Sequence, residues 1–320
     1  MRPPSLPEVA YGATAVRPPW GDLPLPLRAA IEARLGGRVT AATTAGGGFT
    51  RAFAAVVETA AGDRAFLKAA PWATPAADAY AREALVTATL PAQVRAARPR
   101  WTLDIAGYFV LCLDPIDGRV PELPWSPTAL TAALAAWDTA AAALTHPSMP
   151  GLPQLSDIVR DELSWWSASV AGRAPLPTAP TWVRDHLAEL AALERRLPAL
   201  VAGSHMLHGD LRIDNIMIDV YGQAWLCDWT WPCLGAPWFD TVTLLVTAYA
   251  SGHDVDRMLA ARDVPTAVVD GALAALSGYW LTRAAGGPSS ASPHSRQHQK
   301  FSGEQALAWL ASRRNWDAQP

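Results

Sequence analysis

Three polar residues, Asp210, Asn215 and Asp228, are spaced so that together they could do chemistry. Two apolar segments between Ile216 and Asp228 flank Val220-Tyr221-Gly222, a hairpin turn signal. A tight turn at Tyr221-Gly222 would set Asn215 opposite Asp228 at one end of that hairpin. A carboxylate and an amide oxygen held there are hard ligands, the kind Mg²⁺ takes together with the phosphate oxygens of a nucleotide. Asp210, on the loop entering the hairpin, reaches the same space without ligating the metal. Asp and Asn outside helices most often cap turns; the joint spacing of these three favours chemistry over capping.

The elements that must position this group follow from periodicity and punctuation. Leu25 to Leu35 reads as a short amphipathic helix stopped by Gly36-Gly37. Val39 to Thr44, Phe53 to Glu58 and Arg64 to Ala69 read as strands of an antiparallel meander, separated by Gly46-Gly47-Gly48 and Ala61-Gly62-Asp63. Pro75 to Leu90 is predicted helical and Tyr108 to Leu113 a buried strand, broken by Asp114-Pro115-Ile116-Asp117-Gly118. Beyond that break helical periodicity dominates: Ser126 to Thr145, Leu155 to Val170, Trp182 to Val201, Asp240 to Ala250, Val255 to Leu259, Ala267 to Ala284 and Glu304 to Arg313. Ala174 to Pro180 and Gly286 to Ser292 read as loops. The reading is an α+β fold of two lobes, 1–113 around the antiparallel sheet and 114–320 mainly helical.

Composition narrows the partners. The chain has 320 residues, half of them hydrophobic, enough for a sizeable core. A net charge of −3 without any Lys/Arg run argues against a nucleic-acid surface. The proline-rich N-terminus lacks a signal-peptide core, and no stretch has the length and continuity of a membrane span. The expected location is cytoplasmic. Cys112, Cys227 and Cys233 lie among apolar residues and suggest neither a disulfide framework nor a zinc site. Only Lys68 and Lys300 are lysines among the 26 basic residues, which gives weight to a lysine kept inside an apolar strand.

His208-Gly209-Asp210-Leu211-Arg212-Ile213-Asp214-Asn215, followed by Cys227-Asp228-Trp229, resembles the catalytic and metal loops of the aminoglycoside phosphotransferase and choline kinase group of protein-kinase-like enzymes. That resemblance implies a kinase-like fold with ATP or GTP bound between the lobes, and Mg²⁺-dependent phosphorylation of a small-molecule hydroxyl. Asp210 would accept or orient the acceptor hydroxyl, and Asn215 and Asp228 would hold Mg²⁺. Lys68 would meet the α/β-phosphates, with Glu83 on the next helix as its partner, in competition with Asp78. Gly46, Gly47 and Gly48 would cover the phosphates with backbone N–H groups, although such a run is by itself more often a flexible turn. Asp114 and Ile116 would grip the base, since Pro115 has no N–H. Asp240 resembles the family's downstream structural Asp, and His208 reads as structural. Asp157, Asp161 and Glu162, beside Trp165 and Trp166, and also Trp229, are candidates for the acceptor site, against a plainer reading as solvated charge and packing core.

Two alternatives accompany this reading. One is a housekeeping kinase for choline, homoserine or a sugar; an acidic cleft would favour cationic acceptors and a donor-rich neutral cleft sugars. The other is a catalytically silent nucleotide-binding module, which would be expected to have lost one of Lys68, Asp210, Asn215 and Asp228. A hydrolase using His208 and Asp210 lacks the ligand cluster it would need. These residues do not specify an oligomeric state.

Overall fold

The structure is a computed structural model that describes residues 3–287 and 291–316. Helix α1 (Leu25–Leu35) precedes a sheet of β1 (Val39–Thr44), β2 (Phe53–Thr59), β3 (Arg64–Pro71), β4 (Pro99–Ile105) and β5 (Tyr108–Leu113), with α2 (Pro75–Thr89) between β3 and β4. The strand order is β1-β2-β3-β5-β4 and every pairing is antiparallel. Side chains alternate across a strand, so β3 sends Leu67 and Ala69 to one face and Phe66, Lys68 and Ala70 to the other. The first face packs on Leu27 and Ile31 of α1. The second packs on Ala77, Tyr80 and Ala84 of α2, which puts Lys68 beneath α2.

β4 has no counterpart in the sequence reading. It is an edge strand whose Trp101 and Leu103 are only partly buried while Arg100, Thr102 and Asp104 face water. That mixture is a faint alternation in a charged segment, and pairing with the wholly apolar β5 is what organises it.

The remainder is mainly helical: α3 (Pro127–Ala143), α4 (Leu155–Glu162), α5 (Trp165–Val170), α6 (Leu187–Leu200), α7 (Trp238–Ala250), α8 (Val255–Ala260), α9 (Thr266–Ala285) and α10 (Ser295–Arg314). Short strands β6 (Gly118–Arg119), β7 (His205–Leu207), β8 (Ile216–Asp219), β9 (Ala224–Leu226) and β10 (Cys233–Gly235) form two small sheets, β6-β8-β9 and β7-β10. The helix expected over Leu155 to Val170 is two. Glu194 of α6 accepts the Trp166 and Ser167 N–H groups at 2.9 and 2.8 Å, so a buried carboxylate from another helix starts α5 afresh. Helix α10 begins at Ser295, well before the expected Glu304, because Phe301 and Gly303 of its polar first half pack inward, Gly303 against Leu281. Of the loop expected over Gly286 to Ser292, residues 288–290 lie outside the described residues.

Ahead of α1 a leader crosses the helical part. Ser5 N–H donates to the Ala250 carbonyl of α7 at 2.7 Å, and Gln305 Nε2 of α10 donates to Ser5 Oγ at 3.2 Å. Tyr11 is buried beside Ser302 and His298. The three cysteines are free thiols. Among the described residues no helix is long and apolar enough to cross a membrane.

Candidate active site

β7 delivers the chain into a tight segment anchored from below. The buried Asp240 carboxylate at the start of α7 accepts the His208 N–H at 2.8 Å and the Gly209 N–H at 3.2 Å. Burial pushes the Asp240 carboxyl up to about 7 against those bonds. His208 Nε2 lies 2.9 Å from the Cys227 carbonyl and its ring packs on Trp229. Burial lowers the imidazole to about 4, so it is neutral at ordinary pH.

The hairpin that follows is offset by one residue from the expected register. Ile216 pairs with Leu226, Met217 with Trp225 and Ile218 with Ala224. Cys227, not Asp228, therefore stands opposite Asn215, and its N–H donates to the Asn215 carbonyl at 2.8 Å. The cause is the turn. Val220-Tyr221-Gly222 is a three-residue loop with Gly222 at φ +76°, and Asp219 Oδ1 accepts from the Tyr221 and Gln223 N–H groups. Asp228 then takes a left-handed φ of +63°, which Asp tolerates better than most residues.

Asp228 Oδ1 lies 3.6 Å from Lys68 Nζ, whose other partner is Glu83 Oε2 at 2.5 Å. Glu83 rather than Asp78 is thus the lysine's helix partner. Lys68 is 8 % exposed, yet Asp228 and Glu83 outweigh burial and keep it charged. Burial would raise the Asp228 carboxyl, but Lys68 and, more weakly, Arg212 and Arg17 hold it below its ordinary value.

Asp210 belongs to the same group. Its Oδ1 accepts from Arg212 Nη1 at 2.7 Å and its Oδ2 from Asn215 Nδ2 at 3.2 Å, while Arg212 also binds Asp214 at 2.9 Å. Burial pushes the Asp210 carboxyl up to about 7, with Arg212 opposing. Asn215 Nδ2 also donates to the Asp210 carbonyl at 2.8 Å, so both its N–H groups turn toward Asp210 and its amide oxygen turns away. The set Lys68, Glu83, Asp210, Asn215 and Asp228 is brought together by four elements distant in sequence.

The glycine turn between β1 and β2 contacts the leader. Ala15 N–H donates to the Gly46 carbonyl at 2.9 Å, and a Cβ on Gly46 would overlap the Gly12 carbonyl oxygen. Close approach of the leader is a sufficient physical reason for glycine at 46. Phe49, at the end of the turn, lies under the Arg212 guanidinium. At the end of β5, Asp114 gives its N–H to the Arg98 carbonyl and the Ile116 carbonyl accepts from the Gly118 N–H, while the Asp114 carbonyl and the Ile116 N–H have no backbone partner among the described residues. A cavity of about 460 Å³ touches this segment, lined also by Gln93, Arg95 and Trp225; it is separate from the group around Asp210.

The acceptor candidates are placed elsewhere. Asp157, Asp161 and Glu162 are exposed on α4, which packs on α6 and β10, and Asp157 is spent on Arg160. Trp229 is 0 % exposed, and its indole N–H donates to the Leu226 carbonyl at 3.0 Å. Its ring is core, with no face for an acceptor. Two groups outside the motifs reach the site instead. Tyr80 lies beside Lys68, and Arg17 binds the glycine turn. The helical spacing of Tyr80 before Glu83 on α2 is the one sign that could have marked Tyr80.

Residues 42–285 match the profile of the phosphotransferase enzyme family. No curated protein matches the chain by sequence. Among solved structures it is similar to a thermostable form of aminoglycoside phosphotransferase APH(4)-Ia, crystallised with AMP-PNP and hygromycin B, at 13% identity and TM-score 0.61 over 89% of this chain and 98% of that one. It is similar to choline kinase LicA from Streptococcus pneumoniae at 15% identity and TM-score 0.57, over 89% and 98%. A putative fructosamine-3-kinase from Haemophilus somnus 129PT gives 11% identity and TM-score 0.56, over 88% and 97%. These likenesses give the two-lobed kinase-like fold, and with its family match the chain belongs to the phosphotransferase enzyme family.

Proposed function

We propose that the protein transfers the terminal phosphoryl group of ATP or GTP, as its Mg²⁺ complex, to a hydroxyl of a small molecule, an aminoglycoside-like antibiotic or a related metabolite, in the cytoplasm. The observation that carries this is the convergence of Lys68, Asp228, Asn215 and Asp210 on one site, Lys68 charged at 3.6 Å from Asp228 and Asp210 bonded to Asn215. A silent module would have no reason to keep all four. In this reading residues 1–113 and 114–320 are the two lobes and the nucleotide lies between them.

The residues present fit a Mg²⁺ ion. Asp228 has a side chain 40 % exposed, and the Asn215 amide oxygen is turned away from Asp210. An ion held by these two residues would complete its shell with phosphate oxygens. Bound there, it would neutralise charge on the phosphates. Lys68 holds the α/β-phosphates, and Asp114 and Ile116 bind the base through the backbone. Asp210, oriented by Arg212 and Asn215, accepts or orients the acceptor's hydroxyl proton, and a carboxyl raised by burial suits proton transfer near neutrality.

The test is thermal shift with ATP, GTP and Mg²⁺, in which a ligand at 100 times its Kd adds ~2.7 kcal/mol of stability. Stabilisation that needs Mg²⁺ and is lost in Asp228→Ala supports the site. No shift with either nucleotide sinks it. The acceptor screen that follows spans aminoglycosides, choline, homoserine and sugars, because the similarity to an antibiotic kinase, a choline kinase and a fructosamine kinase is nearly equal.

A further inference from the structure

Arg17 stands outside the strands and helices that carry the other site residues. It ends the leader, which runs from α7 and α10 to the turn between β1 and β2. There Thr14 Oγ1 donates to the Gly48 carbonyl at 3.3 Å and Ala15 N–H to Gly46. The Arg17 guanidinium then binds both shoulders of the turn, Nη1 donating to the Ala52 carbonyl at 2.9 Å and Nη2 to the Gly47 carbonyl at 3.2 Å.

Two features set this arginine apart. First, its charge is uncommitted. Lys68 is paired with Glu83 and Asp228, and Arg212 with Asp210 and Asp214, whereas Arg17 meets only neutral carbonyls among the described residues and its Nε is buried with no partner. A buried N–H left unpaired costs free energy. Second, the Ala52 carbonyl it holds lies two residues before Ala54, which pairs with Lys68, and Ala52 packs with Tyr80 and Phe66 on the Lys68 face of the sheet. Arg17 and Lys68 therefore face one space. Arg17 lies outside the residues that match the family profile.

We propose that Arg17 is a second phosphate-binding cation of the nucleotide site, brought to the glycine turn by the leader to grip a phosphate of a nucleoside triphosphate. The guanidinium is suited to this, because its planar fork matches two phosphate oxygens and its charge persists at any working pH. The inference rests on the nucleotide reading above and extends it to a residue that no local motif marks.

Calorimetric titration of the full chain with MgATP and with adenosine tests it, in wild type, Arg17→Gln and Arg17→Lys. The expected result is a Kd for MgATP raised about tenfold or more in Arg17→Gln, an intermediate value in Arg17→Lys, and adenosine binding unchanged in both. An Arg17→Gln protein that binds MgATP within about twofold of wild type overturns the proposal. So does a parallel loss of adenosine and MgATP, which would make Arg17 a brace for the turn alone. Wild type that binds neither nucleotide nor adenosine takes down the nucleotide reading itself, and this inference with it; the first two outcomes leave that reading standing.

Discussion

Asp210 concentrates the chemistry of the proposed reaction in one carboxylate. Arg212 and Asn215 fix both its oxygens, and the same Arg212 is tied down by Asp214. Because Asp210 is held by its neighbours rather than holding the nucleotide, Asp210→Ala should leave the Kd for MgATP nearly unchanged. Its kcat should fall by about 10²–10⁴, the range typical of a positioned proton acceptor. Titration of nucleotide alongside steady-state kinetics checks both halves. A matching loss of nucleotide affinity would move Asp210 out of that role. His208 needs no part in proton transfer, since burial keeps it neutral and its Nε2 is engaged by Cys227.

Between elements, a buried carboxylate does what a local cap would ordinarily do. Glu194 of α6 starts α5, and burial raises its carboxyl to about 7 in spite of the backbone N–H groups it accepts. The folded protein therefore favours the protonated form relative to the unfolded chain, whose carboxyl titrates at the ordinary 4.5. The stability this gives is fully present below about 4.5 and is lost as pH rises through about 7. Glu194→Gln, which cannot ionise, should remove that slope. Denaturant melts between pH 5 and 8 should show the wild type losing about 2.5 kcal/mol more than the variant. Equal slopes would mean that the N–H groups outweigh burial and keep Glu194 ionised. The same reasoning explains the broken helix: Leu163 and Ser164 carry no strong breaker, and the interruption comes from α6.

Across the whole molecule, the leader ties the glycine turn of the sheet to the helices α7 and α10. The backbone contact between Gly12 and Gly46 leaves no room for a side chain. Gly46→Ala should therefore push the leader off the turn at a cost of about 1–3 kcal/mol, the usual range for overpacking. A lowered Tm with faster hydrogen exchange over residues 10–17 is the expected readout. An unchanged Tm with the leader still protected would show that the turn can move aside.

Local patterning alone placed β1 and β5 at their observed bounds, α1 likewise, and most of the remaining helices to within a few residues, because turn residues punctuate the strands and the helices bury a face whose period the residues spell out. The grouping of Asp210, Asn215 and Asp228 was legible for a related reason: all three lie on one loop and hairpin, where sequence distance limits spatial distance. The hairpin register was not, since it turned on the Asp219 carboxylate closing a three-residue loop. Trp229 could be read as either acceptor contact or core, and only its packing on His208 decided for core. The pairing of Lys68 with Glu83 needed β3 and α2 to face each other, and the approach of Arg17 needed the leader's anchors on α7 and α10. Both are contacts between separate elements, the second between segments far apart in the chain, and tertiary packing alone brings them together.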